Sequence, residues 1–119
     1  MQTYKDLIVW QRSIELVKLV YQLTETFPKT EVFGLTSQIR RAAVSIPANL
    51  AEGYTRKHRA EYVQFARIAY ASGAELETHL VIAKELKFAN LREITTVEET
   101  LTEVMKMLNK LISSLVAKP

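Results

Sequence analysis

Hydrophobic residues recur at steps of three and four along most of the chain, which is the spacing of one face of an α-helix. This pattern predicts four helices, over residues 5–26, 36–53, 57–86 and 95–116. It is most regular in the last of them, where the steps run without a break from Ile94 to Leu115. No segment alternates polar and apolar residues long enough to predict a β-strand. We therefore expect an all-α protein.

The predicted helices are separated by short breaks. The first helix is predicted to stop at Phe27-Pro28, because proline disrupts a helix interior. The second is predicted to end at Gly53, since a glycine commonly follows the last turn of a helix. The connections, none longer than nine residues, are of the length typical of helices that lie side by side and run in opposite directions. We predict one domain over residues 1–119, an antiparallel up-down-up-down four-helix bundle.

Two of these helices carry residues that are unusual in a helix interior. Pro47 removes one backbone hydrogen bond of the second helix and is expected to kink it. Gly73 lies among small residues in the third helix, at a cost of about 1 kcal/mol relative to alanine. We expect the backbone of a neighbouring helix to approach closely there and to compensate for this cost.

Composition excludes most catalytic and metal-binding chemistry. The 119 residues contain no cysteine, which removes disulfides, thiolate zinc sites, iron–sulfur clusters and cysteine nucleophiles. The chain has no Gly-x-Ser-x-Gly or phosphate-loop motif. Glu75, Glu77 and His79 suggest a metal, but di-metal bundles need a Glu-x-x-His step on two helices, and here a four-residue step occurs once. We expect no enzymatic activity, no cofactor and no metal.

Neither a signal peptide nor a membrane span is predicted. The N-terminal residues show no uninterrupted apolar stretch and no small-residue cleavage site. No uncharged apolar run approaches the ~20 residues that cross a bilayer. We expect a cytoplasmic protein with no membrane partner.

Positive charge is concentrated in one third of the chain. Between Thr36 and Arg67 six basic residues stand against two acidic ones, whereas the other residues carry ten basic and eleven acidic groups. The turn from Tyr54 to Arg59 contains a basic cluster that can neutralise phosphates and a tyrosine that can stack on a base. A solvated, charged turn is the alternative. The residues expected to contact nucleic acid are Arg40, Arg56, Lys57, Arg59 and Arg67.

The second predicted helix also carries a polar stripe, formed by side chains at steps of three and four beside its apolar line. Its members are Gln38, Arg41, Ser45, Asn49 and Glu52. Most are short and able to form hydrogen bonds, whereas a solvated face more usually carries lysine and glutamate. We expect this polar stripe to lie at a contact between subunits, with Arg41 of one chain pairing with Glu52 of another. An ordinary solvated face and a ligand site are the alternatives.

The residues of the second helix resemble a known protein family. The run from Gly34 to Gly53, GLTSQIRRAAVSIPANLAEG, is similar to the signature of the four-helix-bundle proteins encoded in intervening sequences of bacterial 23S ribosomal RNA genes, the S23 family. Further matches over nearly the whole chain are LIVWQ at residues 7–11, Phe27-Pro28, Ala71-Ser72 and ELET at residues 75–78. The chain departs from the family at Ala71, where glycine is usual, and at His79, where glutamine is common.

This resemblance implies a bundle that assembles as a ring-like homopentamer and has no established enzymatic activity. It also relates the chain to the accessory variability determinant of diversity-generating retroelements, a basic pentameric partner of reverse transcriptase and RNA. Our first hypothesis is a non-catalytic homo-oligomer that binds structured RNA through a basic surface repeated around the ring. The second is a protein-interaction module, such as an accessory subunit of a reverse transcriptase or another nucleic-acid enzyme, without RNA affinity of its own.

Overall fold

The computed structural model describes residues 3–117, and over this range the chain forms four α-helices and two short 3-10 turns. The helices are α1 (Ile8–Thr24), α2 (Leu35–Thr55), α3 (Arg59–Glu85) and α4 (Leu91–Ala117). The 3-10 turns, Tyr4–Asp6 and Lys29–Glu31, precede α1 and α2. No strand occurs in the described range, so the all-α prediction is confirmed. None of the described helices is long and apolar enough to cross a membrane.

The four helices enclose one hydrophobic core. α2 and α4 each pack against both α1 and α3. Side chains with no solvent exposure come from all four helices, as shown by Leu16, Ile46, Leu76 and Leu108. Full burial of a leucine or isoleucine side chain contributes about 1.5–3 kcal/mol to stability. The apolar lines seen in the sequence therefore meet in the interior.

α4 begins four residues earlier than predicted, at Leu91. The side-chain oxygen of Asn90 accepts a hydrogen bond from the Arg92 backbone N–H at 2.8 Å, as a helix N-cap does. Thr95 and Thr96 lie inside the helix, and their hydroxyls donate to carbonyls one turn earlier. The first turn of α4 is thus fixed by an asparagine that precedes the regular apolar pattern.

Gly53 does not end α2, and the prediction that it follows the last turn is wrong. α2 continues to Thr55, and Gly53 is buried inside the helix. A Cβ atom at this position would lie 2.7 Å from Cβ of Phe65 and 3.3 Å from Cδ1 of Tyr62 on α3. The glycine is needed because α2 and α3 approach each other closely at this level.

Gly73 also lies at a close contact, but the neighbour is a side chain. A Cβ atom at Gly73 would overlap the sulfur of Met105 on α4. The expected close approach is therefore present, while the expectation that a backbone fills the space is wrong. Because the methionine side chain is flexible, this contact is softer than the one at Gly53.

Candidate nucleic-acid interface

Residues 56–58 connect α2 to α3 and place basic side chains on the surface. Lys57 has a φ of 57°, in the left-handed region, and its N–H donates to the Tyr54 carbonyl at 3.3 Å. His58 has extended backbone, and its carbonyl accepts the first backbone hydrogen bond of α3 at 2.9 Å. This change of backbone direction delays the start of α3 by two residues relative to the prediction. It leaves Lys57, His58 and Arg59 exposed.

A cleft of about 330 Å³ opens beside this turn. Its lining consists of Tyr54, Lys57, His58, Arg59, Tyr62 and Leu115. The rings of Tyr54 and Tyr62 meet edge to face, with their centroids 5.9 Å apart. Burial raises the pKa of Tyr62, and the neighbouring Tyr54 raises it further. The turn cleft thus places cations around aromatic rings, a combination that single-stranded nucleic acids recognise.

Arg56 is neutralised by acidic residues of its own chain. Its guanidinium binds Glu52 at 3.1 Å and Glu61 at 3.2 Å. It also lies 5.1 Å from the centroid of the Phe65 ring. These two glutamates are the acidic residues of the basic stretch, and both are bound to the same arginine. Arg56 therefore adds little net positive charge beside the turn cleft, where Lys57 and Arg59 are the neighbouring basic residues.

Arg40 and Arg67 do not lie at the turn cleft. Nε of Arg40 donates to Oγ1 of Thr24 at 2.8 Å, and its guanidinium lies 4.4 Å from the centroid of the Tyr21 ring. Arg40 is thus held against α1, about 24 Å along α2 from Arg56 at 1.5 Å per residue. Arg67 is exposed on the outer face of α3, two turns beyond the helix start. Of the five predicted nucleic-acid contacts, the structure brings together Arg56, Lys57 and Arg59.

Ser45 and Asn49 of the polar stripe form a hydrogen-bonded group with Ser72 of α3. The hydroxyls of Ser45 and Ser72 are 2.8 Å apart and link α2 to α3. Nδ2 of Asn49 donates to the Ser45 hydroxyl at 2.9 Å and to the Ser45 carbonyl at 2.8 Å. Ser72 is a partner that the sequence did not single out, although it belongs to the run of small residues in α3. This group satisfies polar atoms between two packed helices.

The other three members of the polar stripe are exposed. Glu52 binds Arg56 of the same chain, so its partner here differs from the predicted Arg41 of another chain. Gln38 and Arg41 lie on the outer side of α2, available to a ligand or another molecule. The predicted subunit contact would therefore rest mainly on these two residues.

Of the three residues considered for metal binding, Glu75 and His79 form a pair on α3. Nε2 of His79 lies 3.3 Å from Oε2 of Glu75, one turn earlier. Nδ1 of His79 is buried and has no hydrogen-bond partner in the described part of the chain. Residues 3–117 contain no group of three or more histidine, aspartate, glutamate or cysteine side chains that could hold a metal ion.

Comparison with known proteins supports both the fold and the family. A family model described as 23S rRNA-intervening sequence protein matches residues 5–110. A crystal structure of a protein of unknown function from the S23 ribosomal protein family of Bacteroides thetaiotaomicron is similar, with a TM-score of 0.80 and 24% sequence identity. The similarity covers 89% of this chain and 96% of that one. No curated protein matches this chain. The chain belongs to the family of 23S rRNA-intervening sequence proteins.

Proposed function

We propose that this protein is a non-catalytic homo-oligomer that binds structured RNA through the turn between α2 and α3. The observation that carries this proposal is the turn cleft, in which Lys57, His58 and Arg59 line the same opening as two tyrosines. Lysine and arginine neutralise phosphates, and an aromatic ring that stacks on a base contributes about 1–3 kcal/mol. The family description, which refers to 23S rRNA, supports RNA as the ligand.

Association of several chains would raise the affinity for RNA, because the turn cleft of a single chain binds only weakly. Each chain offers only a few cationic side chains at the turn cleft, but several copies on one RNA gain avidity. We propose a ring of five chains that contact one another through the outer face of α3. That face carries a shallow groove of about 410 Å³, lined by Ala60, Val63, Gln64, Arg67, Ile68 and Ala71. Its small and apolar residues contrast with the exposed Glu15 and Lys18 of α1.

The proposed bundle runs up-down-up-down. Three residues span about 10 Å at most, far less than the roughly 40 Å length of α3, so α2 and α3 lie side by side only if the chain reverses. Contacts follow the order expected for antiparallel helices. Gly53 faces Phe65, whereas Ser45, earlier in α2, bonds to Ser72, later in α3.

The RNA proposal is tested by titrating a labelled 23S rRNA hairpin with the protein over a salt series, followed by fluorescence anisotropy. We expect binding that weakens steeply with salt, because phosphate contacts release counterions. The variant Lys57→Gln/Arg59→Gln should bind at least about tenfold more weakly at low salt and show a shallower salt dependence. Its melting temperature should stay close to that of the wild type, since both side chains are exposed.

The matched control is Lys106→Gln/Lys110→Gln, which removes the same charge from the exposed side of α4. If the two double variants bind the hairpin with equal affinity, the turn does not contact the RNA. Arg56→Gln is measured separately, because it frees Glu52 and Glu61 and changes local structure as well as charge. A wild type that binds no hairpin at low salt would contradict RNA binding altogether.

The assembly is tested by sedimentation. The wild type should sediment at about 68 kDa if five copies of the 13.6 kDa chain associate. Ala71→Glu places a charge in the groove on the outer face of α3 and should shift the protein to the monomer, while leaving its helical signal unchanged. Thr102→Glu on the exposed side of α4 is the control. A monomeric wild type would contradict the proposed ring.

The second hypothesis, a protein-interaction module for a nucleic-acid enzyme, draws on the same apolar face of α3. Ile68 and Ile82 are 41% and 39% exposed there. An exposed apolar face of this kind can pack against a different protein as well as against a second copy of this chain. A monomer that does not bind the hairpin but does bind a reverse transcriptase would favour this hypothesis. Both functions imply a bacterial cytoplasmic protein, since ribosomal RNA and the enzymes that act on it are cytoplasmic.

A further inference from the structure

A second groove, of about 560 Å³, lies where α1, the second 3-10 turn and the first half of α2 meet. Its size is within the range of roughly 300–1,000 Å³ that small-molecule sites occupy. The lining includes Tyr21, Phe33, Ser37, Arg40, Arg41 and Val44. These six residues belong neither to the hydrophobic core nor to the turn cleft.

The most exposed aromatic ring of the described chain stands at this groove. Phe33 is 95% exposed, although phenylalanine is usually buried. The neighbouring backbone is held in place: the Gly34 N–H donates to the Glu31 carbonyl at 2.9 Å, and the Leu35 N–H donates to the Glu31 carboxylate at 3.1 Å. The ring is therefore presented to solvent from an ordered segment, as an aromatic stacking surface is.

Two arginines give the groove its charge. Arg40 is oriented by its bond to Thr24, and its guanidinium lies 4.4 Å from the centroid of the Tyr21 ring. Arg41 is exposed and makes no ion pair with any residue between 3 and 117. None of the residues between 3 and 117 that line the groove carries a carboxylate. Because two like-charged faces would repel each other, the same face of a second copy is a poor occupant, and an anion is favoured.

We infer that this groove binds an unpaired nucleotide of an RNA strand. The base stacks on Phe33, and the phosphate is paired by Arg41, with the Ser37 hydroxyl close by as a hydrogen-bonding group. Unpaired bases of RNA are commonly held in this way, on aromatic rings and arginine planes. In this arrangement Arg41 pairs with an RNA phosphate, whereas the sequence predicted a pairing with Glu52 of another chain.

This inference rests on the proposed RNA-binding function and adds a second contact to it. Arg40 lies about 24 Å along α2 from Arg56 and the turn. The turn cleft and the groove can therefore reach different parts of one folded RNA. An unpaired loop at the turn cleft and a looped-out nucleotide at the groove would together select a folded RNA with two unpaired segments.

The inference is tested with a labelled ten-nucleotide oligouridine, measured by anisotropy at low salt alongside the hairpin. Phe33→Ala should lower the affinity for oligouridine about tenfold, which is the scale of one lost stacked base. Phe33→Trp should retain the affinity, and Phe33→Leu should lose it, because leucine is apolar but offers no aromatic face. Arg41→Gln should reduce the salt slope by about one.

The outcomes separate this inference from the proposed function. If Lys57→Gln/Arg59→Gln weakens hairpin binding while Phe33→Ala leaves oligouridine binding unchanged, the groove is excluded and the turn stands. The reverse pattern excludes the turn and retains the groove. A change in sedimenting mass on Phe33→Ala or Arg41→Gln would make the groove a subunit contact and overturn the inference. A wild type that binds neither RNA would overturn both proposals.

Discussion

Leu101→Ala in α4 is expected to lower the free energy of unfolding by about 3 kcal/mol, within the range for leucine truncation in a core. Leu101 is 2% exposed, and its removal leaves a cavity that the four packed helices fill only partly. Leu115→Ala, on the same apolar line, should cost less than about 1 kcal/mol. Leu115 is only half-buried and borders the open turn cleft.

Urea denaturation followed by the helical circular dichroism signal measures both variants. The two substitutions remove the same atoms from the same helix, so each is the control for the other. A loss of 2 kcal/mol or more at Leu115 would contradict the expected difference. It would mean that the end of α4 is covered by another subunit in solution, since the described chain leaves that side chain half-exposed.

This pair also shows what hydrophobic periodicity can predict. The steps from Ile94 to Leu115 correctly identified the inner face of α4, because every third or fourth residue returns to the same side of a helix. The same steps do not show at which residue of α4 the side chains cease to be fully buried. Leu108 is fully buried, whereas Leu111 and Leu115 are half-buried. The limit depends on how far the neighbouring helices extend, which is a property of the assembled bundle.

The candidate nucleic-acid interface also contains residues that the sequence predicts and residues that only the packing of the helices brings there. Lys57 and Arg59 were predicted together because they share one short turn, and residues that are close in sequence stay close in space. Arg40 was grouped with them on charge alone, but its place is set by Thr24 and Tyr21 of α1. Leu115 of the turn cleft gave no such signal, since only helix packing brings the end of α4 to the start of α3. Residues that share a turn can therefore be grouped from the sequence, whereas the particular side chains that meet across two helices cannot.

Gly53→Val is expected to lower the free energy of unfolding by about 3 kcal/mol, the upper end of the usual range for overpacking. A Cβ atom there would meet Cβ of Phe65 at 2.7 Å and the Tyr62 backbone Cα at 3.4 Å. Neither atom can rotate away, because each is fixed to the backbone of α3. The two helices must separate, which loosens the core beneath them. Replacing glycine within a helix restores less than about 1 kcal/mol through propensity.

Gly73→Ala is the comparison variant, because it adds a Cβ atom to another close contact between helices. Here the obstacle is the Met105 side chain, which can change rotamer, and alanine gains about 1 kcal/mol of helix propensity over glycine. The stability should therefore change by less than about 1 kcal/mol in either direction. Thermal and urea unfolding of both variants measure the difference. If Gly73→Ala costs as much as Gly53→Val, then α4 is held as rigidly as α3, and the contrast between side-chain and backbone obstruction is wrong.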